Sequence, residues 1–142
     1  MRKILRIIDA NLNRAREGLR VCEDISRFTI PAEPLAGLLK TARHSTTRAI
    51  LNSKRLALRN LIESRDIKND CMKFRDFKKS KNSGSSGMFM ANIERVKESL
   101  RVLEECCRII DDAASRKYRK IRFDVYEIEK KYNDTIRARK TK

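Results

Sequence analysis

Tryptophan is absent from this chain of 142 residues, glycine and proline number only four and two, and a single histidine is present. So little backbone punctuation leaves few turns and argues for long helices rather than the many short strands of a sandwich or barrel. Three tyrosines and five phenylalanines are all the aromatic residues, too few for a surface that stacks successive bases of a single strand. No uncharged apolar run is long enough for a membrane span, and the opening Met1 to Arg6 enters a helical pattern at once instead of a signal-peptide core. The expectation is a cytoplasmic protein with no membrane role. Cys22, Cys71, Cys106 and Cys107 show neither a CxxC pair nor another zinc spacing, which sets aside a disulfide or zinc role. Cys22 and Cys106 fall on apolar stripes, where a thiol behaves as a small hydrophobe.

Acidic residues are also in short supply: 35 Lys and Arg face 19 Asp and Glu, a formal net charge of +16. Such a balance points to polyanions, whether nucleic acid, membrane surface or phosphorylated small molecules. The basic residues are spread over every segment, with local densities at Lys78 to Lys81 and at Arg137 to Lys142 that read as a solvated loop and tail. The length fits one domain with a real hydrophobic core.

What the chain does have is a statement made twice. The run ANLNRAREGLRVCEDI from Ala10 to Ile25 returns as ANIERVKESLRVLEEC from Ala91 to Cys106, identical at half of the aligned positions. The shared residues are mostly polar: Asn11/Asn92, Arg14/Arg95, Glu17/Glu98, Arg20/Arg101 and Glu23/Glu104. A repeat kept for packing alone would preserve apolar character and let its polar faces drift. Both copies have helical apolar spacing, Ile4, Ile7, Ile8, Ala15, Gly18, Val21, Cys22 and Ile25 in the first, and Ile93, Val96, Ser99, Val102, Leu103 and Cys106 in the second. On that spacing Asn11 and Asn92 fall in the middle of the apolar arc, with Arg14 and Arg95 near its edge. Inward-facing amides and guanidiniums persist only where a partner meets them, either in the chain or in a ligand. Two sources stay open: Glu17 or Glu98 across a helix interface, or a carboxylate or phosphate clasped by the arginines. Gly18 and Ser99 occupy equivalent places and are assigned to close helix packing.

The spacing predicts a first helix ending near Phe28, a turn at Thr29 to Pro34, and a second helix bearing Leu35, Leu38, Leu39, Ala42, Ala49 and Ile50. A break at Asn52 and Ser53 precedes a short third helix, Lys54 to Ser64. From Arg65 to Gly87 charge and small residues dominate, a candidate mobile loop that lacks the glycine–lysine signature of a phosphate loop. The repeat helix runs from Met88 to Ile110, and the last, about Ala113 to Arg137, carries Tyr118, Ile121, Val125, Ile128 and Tyr132. Lys40, Arg43 and His44 match Arg119, Arg122 and Phe123 in order. The predicted fold is all-α, a helical bundle from a duplicated helical hairpin with internal pseudo-twofold symmetry, its first repeat 1–64 and its second 88–142.

The run RIIDANLNRAREGLRVCED from Arg6 to Asp24, with Lys40, Arg43, His44, Arg65, Asp66 and the second run Ala91 to Glu105, resembles a helical domain that stands before the barrel of some bacterial thiamine-phosphate synthases and also occurs alone. It is similar to the monofunctional hydroxymethylpyrimidine phosphate kinases of thiamine biosynthesis. The resemblance spans essentially the whole chain and implies ATP-dependent, Mg²⁺-assisted phosphorylation of 4-amino-5-hydroxymethyl-2-methylpyrimidine phosphate to the diphosphate. Members of that family continue to an Asp-Val-Gly, where this chain has Asp70-Cys71-Met72. Nothing of the synthase barrel is present in the sequence, so the resemblance does not imply synthase activity.

Phosphoryl transfer onto a phosphate is a matter of positioning and charge neutralisation. On that reading Arg14, Arg43, Arg95 and Arg122 contact phosphates, His44 touches a phosphate or serves as acid, and Asn11, Asn92, Lys40 and Arg65 bind substrate. Glu17, Glu98, Asp66 and Asp70 are the candidate Mg²⁺ ligands. Two other classes stand beside the kinase: a basic helical nucleic-acid-binding module, whose affinity would fall steeply with salt, and a non-catalytic partner of thiamine-phosphate synthase. A homodimer that completes the site also stays open.

Overall fold

The computed structural model describes residues 1–74 and 84–142; the basic run at Lys78 to Lys81 and Ser83 lie outside them, whereas Ser85 to Gly87 of the glycine–serine stretch are the first turn of a helix rather than part of a loop. Among the described residues five α-helices build the fold: α1 Arg2–Asp24, α2 Glu33–Leu51, α3 Leu58–Ser64, α4 Ser85–Ile110 and α5 Asp112–Lys140. The architecture is the predicted all-α bundle.

Helix α1 passes directly into a π-helical turn, Ile25–Thr29, before Pro34 opens α2 in its first turn. Proline fits there because the first amides of a helix have no intrahelical partner to lose. The third helix is shorter than the spacing predicts. Residues 53–57 instead form a connector, because the Ser53 hydroxyl accepts from the amides of Arg55 and Leu56 and donates to Asp111. Asp111 meanwhile caps α5 by accepting from the amides of Ala113 and Ala114, an N-terminal cap of the usual kind. Helix α4 begins three residues before Met88, after Gly84, whose φ of 101° lies in the left-handed region that glycine tolerates.

The core is continuous. Helix α1 packs chiefly on α4, α4 on α5, and α2 bridges α1 and α5. Ile8, Leu12, Ala15 and Leu19 of α1 meet Ile93, Val96, Leu100 and Leu103 of α4, all fully or almost fully buried. The predicted α5 stripe is buried throughout, and Tyr132 stacks on Phe89 with ring centroids 3.5 Å apart. The Tyr118 hydroxyl donates to the Thr46 carbonyl at 2.9 Å, tying α5 to α2. The two sequence-repeat helices are therefore neighbours at the centre of the bundle, and their polar residues meet along one seam.

The cleft between the repeated helices

Two contacts fix how α1 and α4 run. The Cys22 thiol lies 3.5 Å from the Phe89 carbonyl oxygen, whereas Gly18 lies against Val96 and the Asn92 backbone. Moving back along α1 thus moves forward along α4, and the helices are antiparallel. A Cβ at Gly18 would stand 2.7 Å from Val96 Cγ2 and 3.1 Å from the Asn92 oxygen, so glycine is what allows the approach.

Beside this contact the helices part to leave a cleft of about 590 Å³ lined by Asn11, Arg14, Glu17 and Gly18 from α1 and Asn92, Arg95, Glu98, Ser99 and Val102 from α4. Four repeated pairs therefore line one hollow. Asn11 is 6% exposed and donates from Nδ2 to the Ile7 carbonyl at 2.9 Å. Asn92 does the same to Met88, also at 2.9 Å. Each amide is held against its own helix, with its oxygen making no hydrogen bond among the described residues. Arg14, Glu17, Arg95 and Glu98 have exposed side chains on the cleft walls, and among the described residues none forms an ion pair or hydrogen bond. The helix-interface pairing left open by the sequence is therefore not used, and the expectation of inward-facing guanidiniums is corrected: Arg14 and Arg95 lie exposed at the mouth of the cleft, where water solvates them. Gly18 does the packing assigned to it; Ser99 is 4% exposed but lines the cleft, with no hydrogen bond for its hydroxyl.

The other predicted site residues are elsewhere, most of them engaged. Arg43 donates through Nε to Glu23 at 2.8 Å. Arg122 donates to Glu104 through Nε and Nη2 at 3.0 and 2.8 Å, and through Nη1 to the Tyr126 hydroxyl at 2.9 Å. Both carboxylates are buried. These arginines were expected on phosphates; the structure commits them to carboxylates, and the same clamp recurs in each half. Burial alone would raise the Glu104 carboxyl, but hydrogen bonds and charge from Arg122 and Arg101 outweigh it and hold the group below the usual carboxylate range. Arg65, expected on substrate, grips Asp9 in a two-pronged pair at 2.7 and 2.8 Å. Lys40 and His44 are exposed on α2, away from the α1–α4 cleft.

The four metal candidates are not brought together. Glu17 and Glu98 face the cleft, whereas Asp66 follows α3, where it accepts from the Asn69 amide and side chain and pairs with Arg6. The Asn69 hydrogen bonds, followed by the charge of Arg6, hold the Asp66 carboxyl below its ordinary range. Asp70 is exposed and accepts from the Met72 amide at 3.0 Å. Among the described residues no three His, Cys, Asp or Glu side chains gather as a metal would require. One buried acid escaped the sequence reading: Asp9, whose spacing of four from Leu5 and three from Leu12 places it on the apolar face and was the available signal.

Fold and cleft together define the class of protein: an all-helical bundle whose two central, sequence-repeated helices flank a polar hollow. The chain belongs to the ThiD2 family, whose model matches residues 6–131. Its relatives include the thiamine-phosphate synthase of Prochlorococcus marinus subsp. pastoris, 36% identical over 127 residues that cover 89% of this chain and 34% of the relative. The thiamine-phosphate synthase of Synechocystis sp. is 35% identical over 127 residues, 89% of this chain and 35% of the relative. That of Synechococcus sp. CC9605 is 35% identical over 140 residues, 97% of this chain and 38% of the relative. The chain spans about a third of the length of the curated relatives it matches. No solved structure matches it. These names correct the expectation of a hydroxymethylpyrimidine phosphate kinase: relatives at about 35% identity over most of the chain are called synthases. None of the helices described is long and apolar enough to cross a membrane.

Proposed function

We propose that this domain serves thiamine biosynthesis as a partner of thiamine-phosphate synthase, binding a phosphorylated hydroxymethylpyrimidine in the α1–α4 cleft. The observation that carries the reading is that Arg14, Arg95, Glu17 and Glu98 converge on one hollow without protein partners. Guanidiniums clasp phosphate oxygens with two parallel hydrogen bonds. Two carboxylates in the same hollow weaken the attraction for a bare anion, yet they accept hydrogen bonds from an amine. Asn11 and Asn92 can donate or accept. A cleft of this make-up matches a ligand that carries a phosphate and a hydrogen-bonding ring together, and an aminopyrimidine phosphate has both. The synthase names of the relatives support the pathway and the partner.

Titration calorimetry with 4-amino-5-hydroxymethyl-2-methylpyrimidine phosphate tests the binding. One ligand should bind per chain, more tightly than inorganic phosphate, and the paired variant Arg14→Ala with Arg95→Ala should lose binding. Absence of binding, or an unaffected double variant, would refute the site. Adding the chain to a separate thiamine-phosphate synthase at limiting pyrimidine substrate should raise its rate; an unchanged rate would remove the partnership.

A further inference from the structure

Apart from Val102, whose counterpart Val21 lies outside the cleft, the lining residues fall into four equivalent pairs that differ in polar character at one. The pairs are Asn11/Asn92, Arg14/Arg95, Glu17/Glu98 and Gly18/Ser99, and in the last pair a hydroxyl stands where the other half has no side chain. A hollow with identical ends holds an unsymmetrical ligand equally well in either direction. Ser99 breaks that equivalence. Its side chain is buried, lines the cleft and has no hydrogen-bond partner among the described residues. The hydroxyl itself stays open to the cleft, where a bound group can replace water as its hydrogen-bond partner.

The register of the helices says which end it marks. Gly18 lies opposite Asn92 and Val96, and Cys22 lies opposite Phe89. At about 1.5 Å of rise per residue on both helices, Ser99 falls opposite the stretch between Asn11 and Ala15. One end of the cleft is thus Asn11, Arg14, Glu98 and Ser99; the other is Glu17, Gly18, Asn92 and Arg95. The second end continues into a further hollow of about 520 Å³ that Asn92 and Arg95 also line, so it has room for a bulky solvated group. Among the described residues the first has no such extension and sets two almost buried neutral residues, Asn11 and Ser99, beside the exposed Arg14 and Glu98.

We infer that Ser99 is the specificity-determining residue of the cleft, and that with Asn11 it receives the neutral hydrogen-bonding ring of the ligand while the phosphate lies toward Arg95. This rests on the proposed binding of a phosphorylated pyrimidine and deepens it to a single ligand direction. Neither end of the cleft needs a metal for this discrimination.

The test compares the hydroxymethylpyrimidine phosphate with inorganic phosphate as probes, by calorimetry on the intact chain. In Ser99→Ala, which keeps the volume nearly constant and suits a helix, the ratio of affinities for the two probes should fall about fivefold to tenfold, the loss of one hydrogen bond. In the parent, Arg95→Ala should weaken pyrimidine phosphate binding more than Arg14→Ala; in a Ser99→Ala background the two arginine variants should converge. An unchanged affinity ratio, or arginine variants that are equal in the parent, would overturn the inference while leaving the binding site standing. A parent that binds neither probe would overturn both.

Discussion

Gly18→Ala is the substitution by which the geometry of the seam can be tried. Exchanging glycine for alanine inside a helix favours folding by about 1 kcal/mol, because alanine gives up less backbone freedom. Were Gly18 in open space, as Gly37 is with no atom within 4 Å of a built Cβ, the change would stabilise. At Gly18 the new methyl meets Val96 Cγ2 at 2.7 Å and the Asn92 carbonyl oxygen at 3.1 Å. Neither neighbour gives easily. Val96 is fully buried and, as a β-branched residue in a helix, is restricted to one favoured rotamer; the Asn92 oxygen is backbone inside α4.

The two helices must therefore move apart, and overpacking of this kind costs about 1–3 kcal/mol. After the gain in helix propensity, a net loss of about 1 kcal/mol remains, which lowers the melting temperature of a domain this size by about 4 °C. Separation of α1 from α4 also pulls Arg14 away from Arg95, so affinity for the pyrimidine phosphate should fall with stability. Thermal denaturation followed by circular dichroism, beside calorimetry at a temperature where the variant is folded, reads both. A melting temperature equal to or above that of the parent would refute the close approach, because the propensity gain would then be unopposed. Gly37→Ala is the control, an alanine added in α2 away from the cleft with no atom within 4 Å of the new methyl, where the propensity gain is unopposed.

Glu104→Gln should cost about 3 kcal/mol in urea unfolding, because it leaves the mostly buried Arg122 guanidinium without its counter-charge. Acid should destabilise the fold through the same group: its carboxyl is held below its ordinary 4.5 in the folded chain, so its contribution is complete above that value and is lost as pH falls through the lower folded one. Asp111, lowered first by the Ser53 hydroxyl and then by the Ala114 and Ala113 amides from its ordinary 3.8, adds to the loss in the same direction; stability that stays flat from pH 5 to pH 2.5 would contradict both assignments. Thiol labelling should take Cys71 first, since it is exposed, while burial pushes the Cys22 and Cys107 thiols up to about 12 and keeps them unreactive until urea opens the core. Modification of Cys22 at the rate of Cys71 in the native state would contradict the packing of α1 on Phe89.

Most of the fold was legible because its elements are long and strongly periodic. The apolar steps of α5 predicted a buried face that the structure bears out, including Tyr118 and Tyr132, and those of the repeat did so except that Ile7 is exposed and Cys107, not the half-buried Cys106, is the fully buried thiol. The short third helix was not legible to its true start, because Ser53 spends its hydroxyl on a connector anchored by Asp111, a residue 58 positions away. No local pattern carries that contact. The site divided along the same line. Asn11, Arg14, Asn92 and Arg95 could be placed on a common face from helical spacing, since they share two neighbouring helices. The fates of Arg43, Arg65 and Arg122 depend on Glu23, Asp9 and Glu104 across helix boundaries, and an arginine's partner cannot be read from its own helix.

The repeated polar residues thus serve two purposes that the sequence presents as one. Glu23 and Glu104 are buried, and each holds an arginine from the second helix of its half, Arg43 in α2 and Arg122 in α5. Such pairs add little net stability over an apolar substitute, but breaking one is costly, so they fix the angle at which α2 and α5 lie on α1 and α4. Asn11, Arg14, Glu17 and their counterparts lie farther toward the N-terminus of each repeat helix, with their charges uncommitted. The outer clamps can therefore hold α1 and α4 at the spacing that keeps the cleft open, while Gly18 sets how closely the helices meet beside it. On this account Glu104→Gln weakens ligand binding through geometry as well as through stability, and the two effects separate in the calorimetric titration. If the cleft keeps its shape, only the folded fraction falls and the affinity of the folded chain is that of the parent; if α5 releases α4, the affinity itself falls.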